Sequence, residues 1–185
     1  IGLIYALKKI FRIKIIYWII KCYKHFMDFE FYPLNCFEKI FKTKLLNKKS
    51  KFEILSLLLR FNTLNSIQKA GSGHLGSSFS ALDIFLCCAE FLKKNDGHFF
   101  SSKGHDAPAY YNTLAAYKKI NFNLIYRLRK INGLPGHPDI SIKNIRFNTG
   151  SLGMGISKIN GISYNNKDKK IVIIGDGELQ EGQNW

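Results

Sequence analysis

The sequence feature that most constrains the fold is the β-branched run at 171–174, which is followed at once by a Gly-Asp-Gly turn at 175–177. A short apolar run between polar residues has the length and composition of a fully buried parallel strand. Such strands are buried because helices cover the sheet, and apolar segments with helical spacing precede this run. The sequence therefore predicts an α/β fold, with a parallel sheet flanked by helices.

Apolar residues at helical spacing predict the helices of this fold. Phe52, Leu55 and Leu59 belong to an amphipathic pattern that predicts a helix over 51–69. Ser80, with an acidic residue three positions later, predicts the cap of a second helix over 81–94. A loop is expected at 95–103, followed by helices at about 106–119, 122–130 and, after a glycine-rich start, 150–164.

The composition favours one globular domain, and the charge pattern and apolar segments do not indicate a nucleic-acid or membrane partner. The net charge of the 185 residues is +15, about half of it in residues 1–50. The lysines follow a general Ile/Lys/Asn bias without interleaved nucleic-acid motifs, so we expect no nucleic-acid partner. The longest uncharged stretch in the apolar N-terminal region, at 15–20, is far too short to span a bilayer, so no membrane partner is expected.

Residues 1–50 are basic and apolar, and they predict an extension of unknown role, of which residues 1–27 are expected to pack loosely or to be disordered. The four cysteines show no disulfide or zinc spacing, which indicates reduced thiols and a cytoplasmic protein. Because the chain starts at Ile1 and stops soon after the Gly-Asp-Gly turn, we expect a fragment of a longer protein.

The Gly-Asp-Gly turn is the strongest candidate for a ligand site. In open α/β sheets, ligands bind beyond the carboxyl ends of the strands. Gly175 and Gly177 allow a phosphate to approach the main chain closely, and the carboxylate of Asp176 is a hard oxygen ligand that suits Mg²⁺ or Ca²⁺. The alternative interpretation is an ordinary Asp-Gly turn after a strand.

Three histidines lie next to glycine in loops of small residues: His74, His105 and His137. Imidazole can donate to phosphate and move protons near neutral pH, so these side chains are candidates for proton transfer. The alternative is that each is an idle surface histidine.

Of two further glycine-rich segments, only the one at 150–155 is a candidate anion site. Residues 150–155 open a predicted helix, where N–H groups can meet an anion, although a simple cap loop is the alternative. Residues 71–76 match G-x-G-x-x-G literally, but a helical pattern rather than a strand precedes them. We therefore do not expect a dinucleotide site there.

Five motifs together resemble the N-terminal, diphosphate-binding part of transketolases: GSGHLGSSFSALDI, SSKGHDAPAYYNTLAAY, GLPGHPD, NTGSLGMGIS and IVIIGDGELQEGQNW. They occur in the order and rough spacing of that family over about residues 52–185, and no part of 1–50 shares in the resemblance. The motifs SKGHDAPA and GDGELQEGQNW are most similar to split transketolases, in which the two halves of the enzyme are separate chains.

The resemblance implies a thiamine-diphosphate-binding α/β fold over 51–185, incomplete after the Gly-Asp-Gly motif. It implies a transferase of carbohydrate metabolism, such as the pentose phosphate reactions, that moves a two-carbon ketol unit from a ketose phosphate to an aldose phosphate. The implied cofactors are thiamine diphosphate and Mg²⁺ (or Ca²⁺). The implied partners are sugar phosphates and a pyrimidine-binding C-terminal half, fused or separate, in a homodimer or heterotetramer.

The resemblance also implies roles for single residues. Asp176 is expected to bind the metal, and Gly175 and Gly177 to lie at the diphosphate. Gly150, Ser151 and Leu152 are expected to line the thiamine site, and Glu181 to be an acid buried near the subunit interface. His105 is expected to contact cofactor and substrate, and His74 and His137 to line the substrate channel and assist proton transfer.

Some features depart from the family pattern. Leu75, Ser77 and Ser78 replace the proline and glycine usual after the first histidine. The asparagine that completes the metal shell and the glutamate that activates the cofactor lie outside these residues, so we expect no catalysis by the chain alone. The alternatives are another thiamine-diphosphate enzyme, such as 1-deoxyxylulose-5-phosphate synthase, or an inactive remnant or interaction subunit.

Overall fold

The computed structural model describes residues 30–94, 97–164 and 168–185. Over these ranges, helices pack around a two-stranded parallel sheet, which confirms the predicted α/β class. The α-helices are α1 (Leu34–Lys42), α2 (Lys48–Ala70), α3 (Leu75–Lys94), α4 (Ala107–Ala116), α5 (Gly155–Ser163) and α6 (Asp176–Leu179). The strands are β1 (Gly97–Ser101) and β2 (Lys169–Ile173), and 3-10 helices cover Phe122–Arg127 and Gly182–Asn184.

The sheet pairs β1 with β2 in parallel, with Phe99 opposite Ile171 and Ser101 opposite Ile173. The Ser102 N–H donates to the carbonyl of Ile173 at 2.9 Å and continues the ladder beyond β1. The prediction of a loop over 95–103 is therefore wrong for 97–101. This segment lacks the β-branched pattern of a strand, and it becomes one because β2, far along the chain, supplies its hydrogen-bond partners.

Helix α2 confirms the predicted long helix, and it begins earlier than the apolar pattern does. The Asn47 side chain accepts a hydrogen bond from the Ser50 N–H at 2.8 Å and caps the helix. The helix ends at Gly71, whose φ of +68° is the left-handed conformation of a helix C-cap.

Helix α3 begins at Leu75, so the predicted start at residue 81 is wrong. The carbonyl of His74 accepts the Ser78 N–H at 3.0 Å, which starts the helix directly after the glycine loop. Ser80 is not a cap, because its hydroxyl donates to the carbonyl of Ser77 from within the helix.

Helix α3 is long and apolar enough to cross a membrane, judged by length and composition alone. In the fold, Leu82, Phe85 and Leu86 are fully buried, and the helix packs against α2 and α4. Only part of the helix is buried, because the side chains of Ile84 and Phe91 are half-exposed. Helix α4 is buried along its whole length. The loop at 102–106 connects the end of β1 to the start of this helix.

Residues 31–42 contribute side chains to the core, and the domain boundary expected at residue 51 stays a prediction. Phe31, Tyr32 and Phe37 are buried in the main hydrophobic cluster. Asn62 of α2 accepts the Tyr32 N–H at 2.7 Å and donates to the Tyr32 carbonyl at 2.9 Å. The expectation for residues 1–29 lies outside the described residues.

An ion pair ties α2 to α3 at the surface. Arg60 donates to both carboxylate oxygens of Asp83, at 2.9 and 3.0 Å, and the Ser56 hydroxyl donates to the same carboxylate at 2.6 Å. The hydrogen bond from Arg60, together with that of Ser56, lowers the pKa of Asp83 below its ordinary value.

Candidate active site

Three loops meet at the carboxyl end of the sheet. The loop at 102–106 follows β1, and the Gly-Asp-Gly turn follows β2. The glycine-rich loop at 150–155 leads into α5 beside them. Parallel strands end at a common edge, so residues distant in the sequence come together here.

Two of the predicted histidines lie against each other. The ring centroids of His74 and His105 are 5.9 Å apart, and the rings meet edge to face. His74 directly precedes α3, and His105 lies just before α4. The packing of these two helices therefore brings the rings together.

Gly104 brings His137 to the same place. Its φ is +61°, and a Cβ atom at this position would lie well inside van der Waals contact with Cδ2 of His137. Only glycine combines this left-handed backbone with so close a neighbour. The carbonyl of His137 accepts the Tyr111 hydroxyl of α4 at 2.7 Å, which holds the backbone below the ring.

The surroundings of His137 favour the neutral form of its imidazole. Burial is the largest cause that lowers its pKa, and Coulomb interactions with Arg129, His105 and His74 act in the same direction. Arg129 is anchored through a hydrogen bond of 2.7 Å to the hydroxyl of Ser72. A neutral imidazole near neutral pH can accept a proton.

The buried carboxylate of Asp106 stabilises the loop that carries His105. Asp106 is fully buried and accepts the Ser101 hydroxyl at 2.7 Å, while Lys103 lies 3.9 Å from its second oxygen. Burial raises the pKa of Asp106, and the contacts with Ser101 and Lys103 oppose this rise. The arrangement anchors the turn that presents His105.

The glycine-rich loop lies between the histidines and the Gly-Asp-Gly turn. Gly150 faces His137, with 3.8 Å between the position of a Cβ atom there and Cδ2 of His137. Ser151 and Leu152 are exposed. A Cβ atom at Gly153 would lie 2.8 Å from Cβ of Glu181, so Glu181 packs beside this loop.

Asp176 is exposed at the start of α6, directly after the strand edge. A Cβ atom at Gly177 would meet no protein atom within 4 Å, whereas one at Gly175 would contact the alkyl chain of Lys103. Glu181 is also exposed in the single chain, and its expected place at a subunit interface stays a prediction.

A family model for the thiamine diphosphate binding domain of transketolase matches residues 53–184, most of the chain. The chain belongs to the transketolase family. The loops described above lie within the motifs that carry the resemblance, and the match leaves out the N-terminal region.

Curated relatives agree with this membership. The chain is 34% identical over 144 residues to the 6-deoxy-6-sulfo-D-fructose transketolase subunit SqwG of Clostridium sp. (strain MSTE9), covering 69% of this chain and 52% of the relative. It is 31% identical over 156 residues to an apulose-4-phosphate transketolase subunit of Actinobacillus succinogenes, covering 76% and 55%. It is 34% identical over 143 residues to human transketolase, covering 69% and 23%. The chain thus spans about half of the two bacterial relatives and about a quarter of the human enzyme.

The residues of this transketolase-family site fit thiamine diphosphate. The space above Gly177 leaves room for a phosphate at the main chain, and the carboxylate of Asp176 is exposed beside it. The exposed side chain of Leu152 offers an apolar surface to a ring. Among the described residues, no group of three or more His, Cys, Asp or Glu side chains could hold a metal ion.

Two residues of the site were missed by the sequence analysis. Arg129 lies in the loop beside His137, and Glu178 is buried one residue after Gly177. The amphipathic pattern could not separate Glu178 from the exposed Glu181, because both occur in one short polar stretch. Glu178 is buried where its side chain contacts Ser102 and the glycine-rich loop at Gly153, whereas the side chain of Glu181 is exposed.

Proposed function

We propose that the chain is the diphosphate-binding part of an enzyme that transfers a two-carbon ketol unit from a ketose to an aldose. The observation that carries the proposal is the meeting of His74, His105 and His137 with the glycine-rich loop and the Gly-Asp-Gly turn at one strand edge. Family membership supports the same reaction class.

Thiamine diphosphate, when bound, supplies the electron sink for breaking and forming the carbon–carbon bond. The chain's own residues bind and orient it and move protons. The carboxylate of Asp176 would hold Mg²⁺, and Gly177 leaves its main chain open to a diphosphate. The neutral imidazole of His137 accepts a proton from a substrate hydroxyl, and His74 and His105 lie on the same side of the site.

The partner in this proposal is a pyrimidine-binding half that completes the site. Two of the relatives are named as transketolase subunits, which supports a separate chain and a heterotetramer over a fused homodimer. Sugar phosphates are the proposed substrates. Cys87 and Cys88 are free thiols, which supports a reducing, cytoplasmic location.

The test is a calorimetric titration of thiamine diphosphate with Mg²⁺. We expect weak binding or none by the chain alone, and metal-dependent binding once the pyrimidine-binding half is added. Asp176→Asn should lower that affinity by about 100-fold or more, because an amide cannot neutralise the ion. Asp168→Asn, an exposed aspartate before β2, is the matched control and should bind like the wild type.

Two results would contradict the proposal. Absence of binding by the assembled wild-type protein would favour an inactive interaction subunit. An unchanged affinity in Asp176→Asn would show that this residue is only part of a turn.

A further inference from the structure

The carboxylate of Glu178 is the buried acid of the site. Its side chain is 2% exposed, although it lies in the short polar helix α6. Its Oε1 atom accepts the Ser102 hydroxyl at 2.6 Å and the Gly153 N–H at 3.2 Å. Burying a carboxylate is costly, so these contacts must offset a considerable loss of hydration.

This carboxylate joins three segments that are far apart in the sequence. Ser102 ends the β1 ladder, Gly153 lies in the glycine-rich loop, and Glu178 itself follows β2. The loop has no strand pairing to hold it. A single hydrogen-bond acceptor therefore ties the loop to the rigid edge of the sheet.

The glycine-rich loop packs closely against Ser102 and Glu178, so the position of the carboxylate affects the position of the loop. A Cβ atom at Gly155 would clash with the hydroxyl of Ser102 and would lie 3.4 Å from Oε1 of Glu178. The loop therefore approaches the carboxylate closely on two sides, at Gly153 and at Gly155. The side-chain amide of Asn184 also donates a hydrogen bond to the backbone carbonyl of Glu178 and helps to hold this residue in place.

We propose that Glu178 is a positioning residue that holds the glycine-rich loop at 150–155 in the shape needed on the thiamine side of the cofactor. The part of this inference that concerns cofactor binding rests on the proposed function. The part that concerns loop order rests only on the contacts of this chain, and the two parts can be tested separately.

The first experiment measures hydrogen exchange on the full chain without cofactor. In Glu178→Ala, protection of the Gly153 amide should fall by about tenfold, the scale of one lost hydrogen bond. Protection of the core amide of Leu59 in α2 should change much less. Glu178→Gln should restore protection, because its side-chain oxygen can accept both hydrogen bonds.

Control variants separate a local role from a general one. Glu53→Ala removes an exposed glutamate of α2 and should leave the Gly153 amide unchanged. Ser102→Ala removes one of the two donors and should give an intermediate loss at Gly153, which keeps the test decisive if Glu178→Ala does not fold. An equal loss at Gly153 and Leu59, or no loss at Gly153 in either variant, would overturn the proposal.

The second experiment measures thiamine diphosphate affinity in the assembly with the pyrimidine-binding half. Glu178→Ala should bind at least about tenfold more weakly, and Glu178→Gln close to the wild type. Wild-type-like affinity in Glu178→Ala would overturn the cofactor part of the inference. If the wild-type assembly binds no cofactor, the proposed function fails, while the exchange result at Gly153 still decides the role of Glu178 in the loop.

Discussion

Replacing Gly104 by alanine tests the geometry that brings His105 and His137 together. Alanine must adopt the φ of +61° found at Gly104, which costs about 1 kcal/mol after the entropy lost from the unfolded chain is counted. Its Cβ would also clash with the ring of His137, whose backbone is held by Tyr111. Turning the ring away from its preferred rotamer costs about 1 kcal/mol more.

Gly71→Ala is the matched control for this prediction. Gly71 has a φ of +68°, and a Cβ atom there would meet no atom within 4 Å. Gly71→Ala should therefore lower the free energy of unfolding by about 1 kcal/mol, and Gly104→Ala by about 2 kcal/mol, both measured by urea unfolding.

The position of His137 supplies a second measurement on the same variants. In Gly104→Ala the ring leaves the partly buried site beside Arg129, so the pKa of His137 should rise toward its ordinary value of 6.5. The titration of its ring protons by NMR measures this rise. Equal losses of stability in both alanine variants, with no change in the pKa of His137, would refute the reasoning.

Three further predictions concern other parts of the molecule. His105→Ala should lower the turnover of the assembled enzyme by about 100-fold and leave its melting temperature unchanged, and unchanged turnover would contradict a role in proton transfer. Asp83→Asn should reduce the acid sensitivity of stability. The lowered pKa of Asp83 beside Arg60 stabilises the fold above the ordinary value of 3.8, and this contribution is lost as the pH falls through the folded pKa, which pH-dependent urea unfolding measures. Asn62→Ala should lower the free energy of unfolding by about 2 kcal/mol in urea unfolding, because the backbone N–H and carbonyl of Tyr32 lose their hydrogen bonds to the Asn62 side chain. A loss under about 0.5 kcal/mol would show that this contact does not anchor residues 31–42.

Much of the site could be predicted because its signals are local. An apolar strand that ends in Gly-Asp-Gly places Asp176 at a strand edge whatever the rest of the chain does, although β2 is half-buried rather than fully buried as expected. Glycines beside His74 and His105 mark open loops for the same local reason. Contacts between the loops could not be predicted, because no residue near His137 in the sequence indicates that Gly104 packs against the His137 ring.

The errors in the predicted fold have the same origin. Strand β1 was missed because its residues are not typical of a strand and its partner β2 is distant. The start of α3 was placed too late because the carbonyl of His74, rather than a capping side chain, begins the helix. The sequence assigned no structure to residues 31–42, since the buried amide of Asn62 that holds Tyr32 has no sequence signature.

The sequence by itself determined the α/β class, the long helix α2, the strand β2 and the set of residues at the Gly-Asp-Gly turn. These follow from periodicity, capping and turn chemistry, which act over a few neighbouring residues. Only the tertiary structure decided that Glu178 is buried while Glu181 is exposed, and that one carboxylate joins Ser102 to Gly153. Burial is a property of what packs over a residue, and here the covering loop comes from another part of the chain.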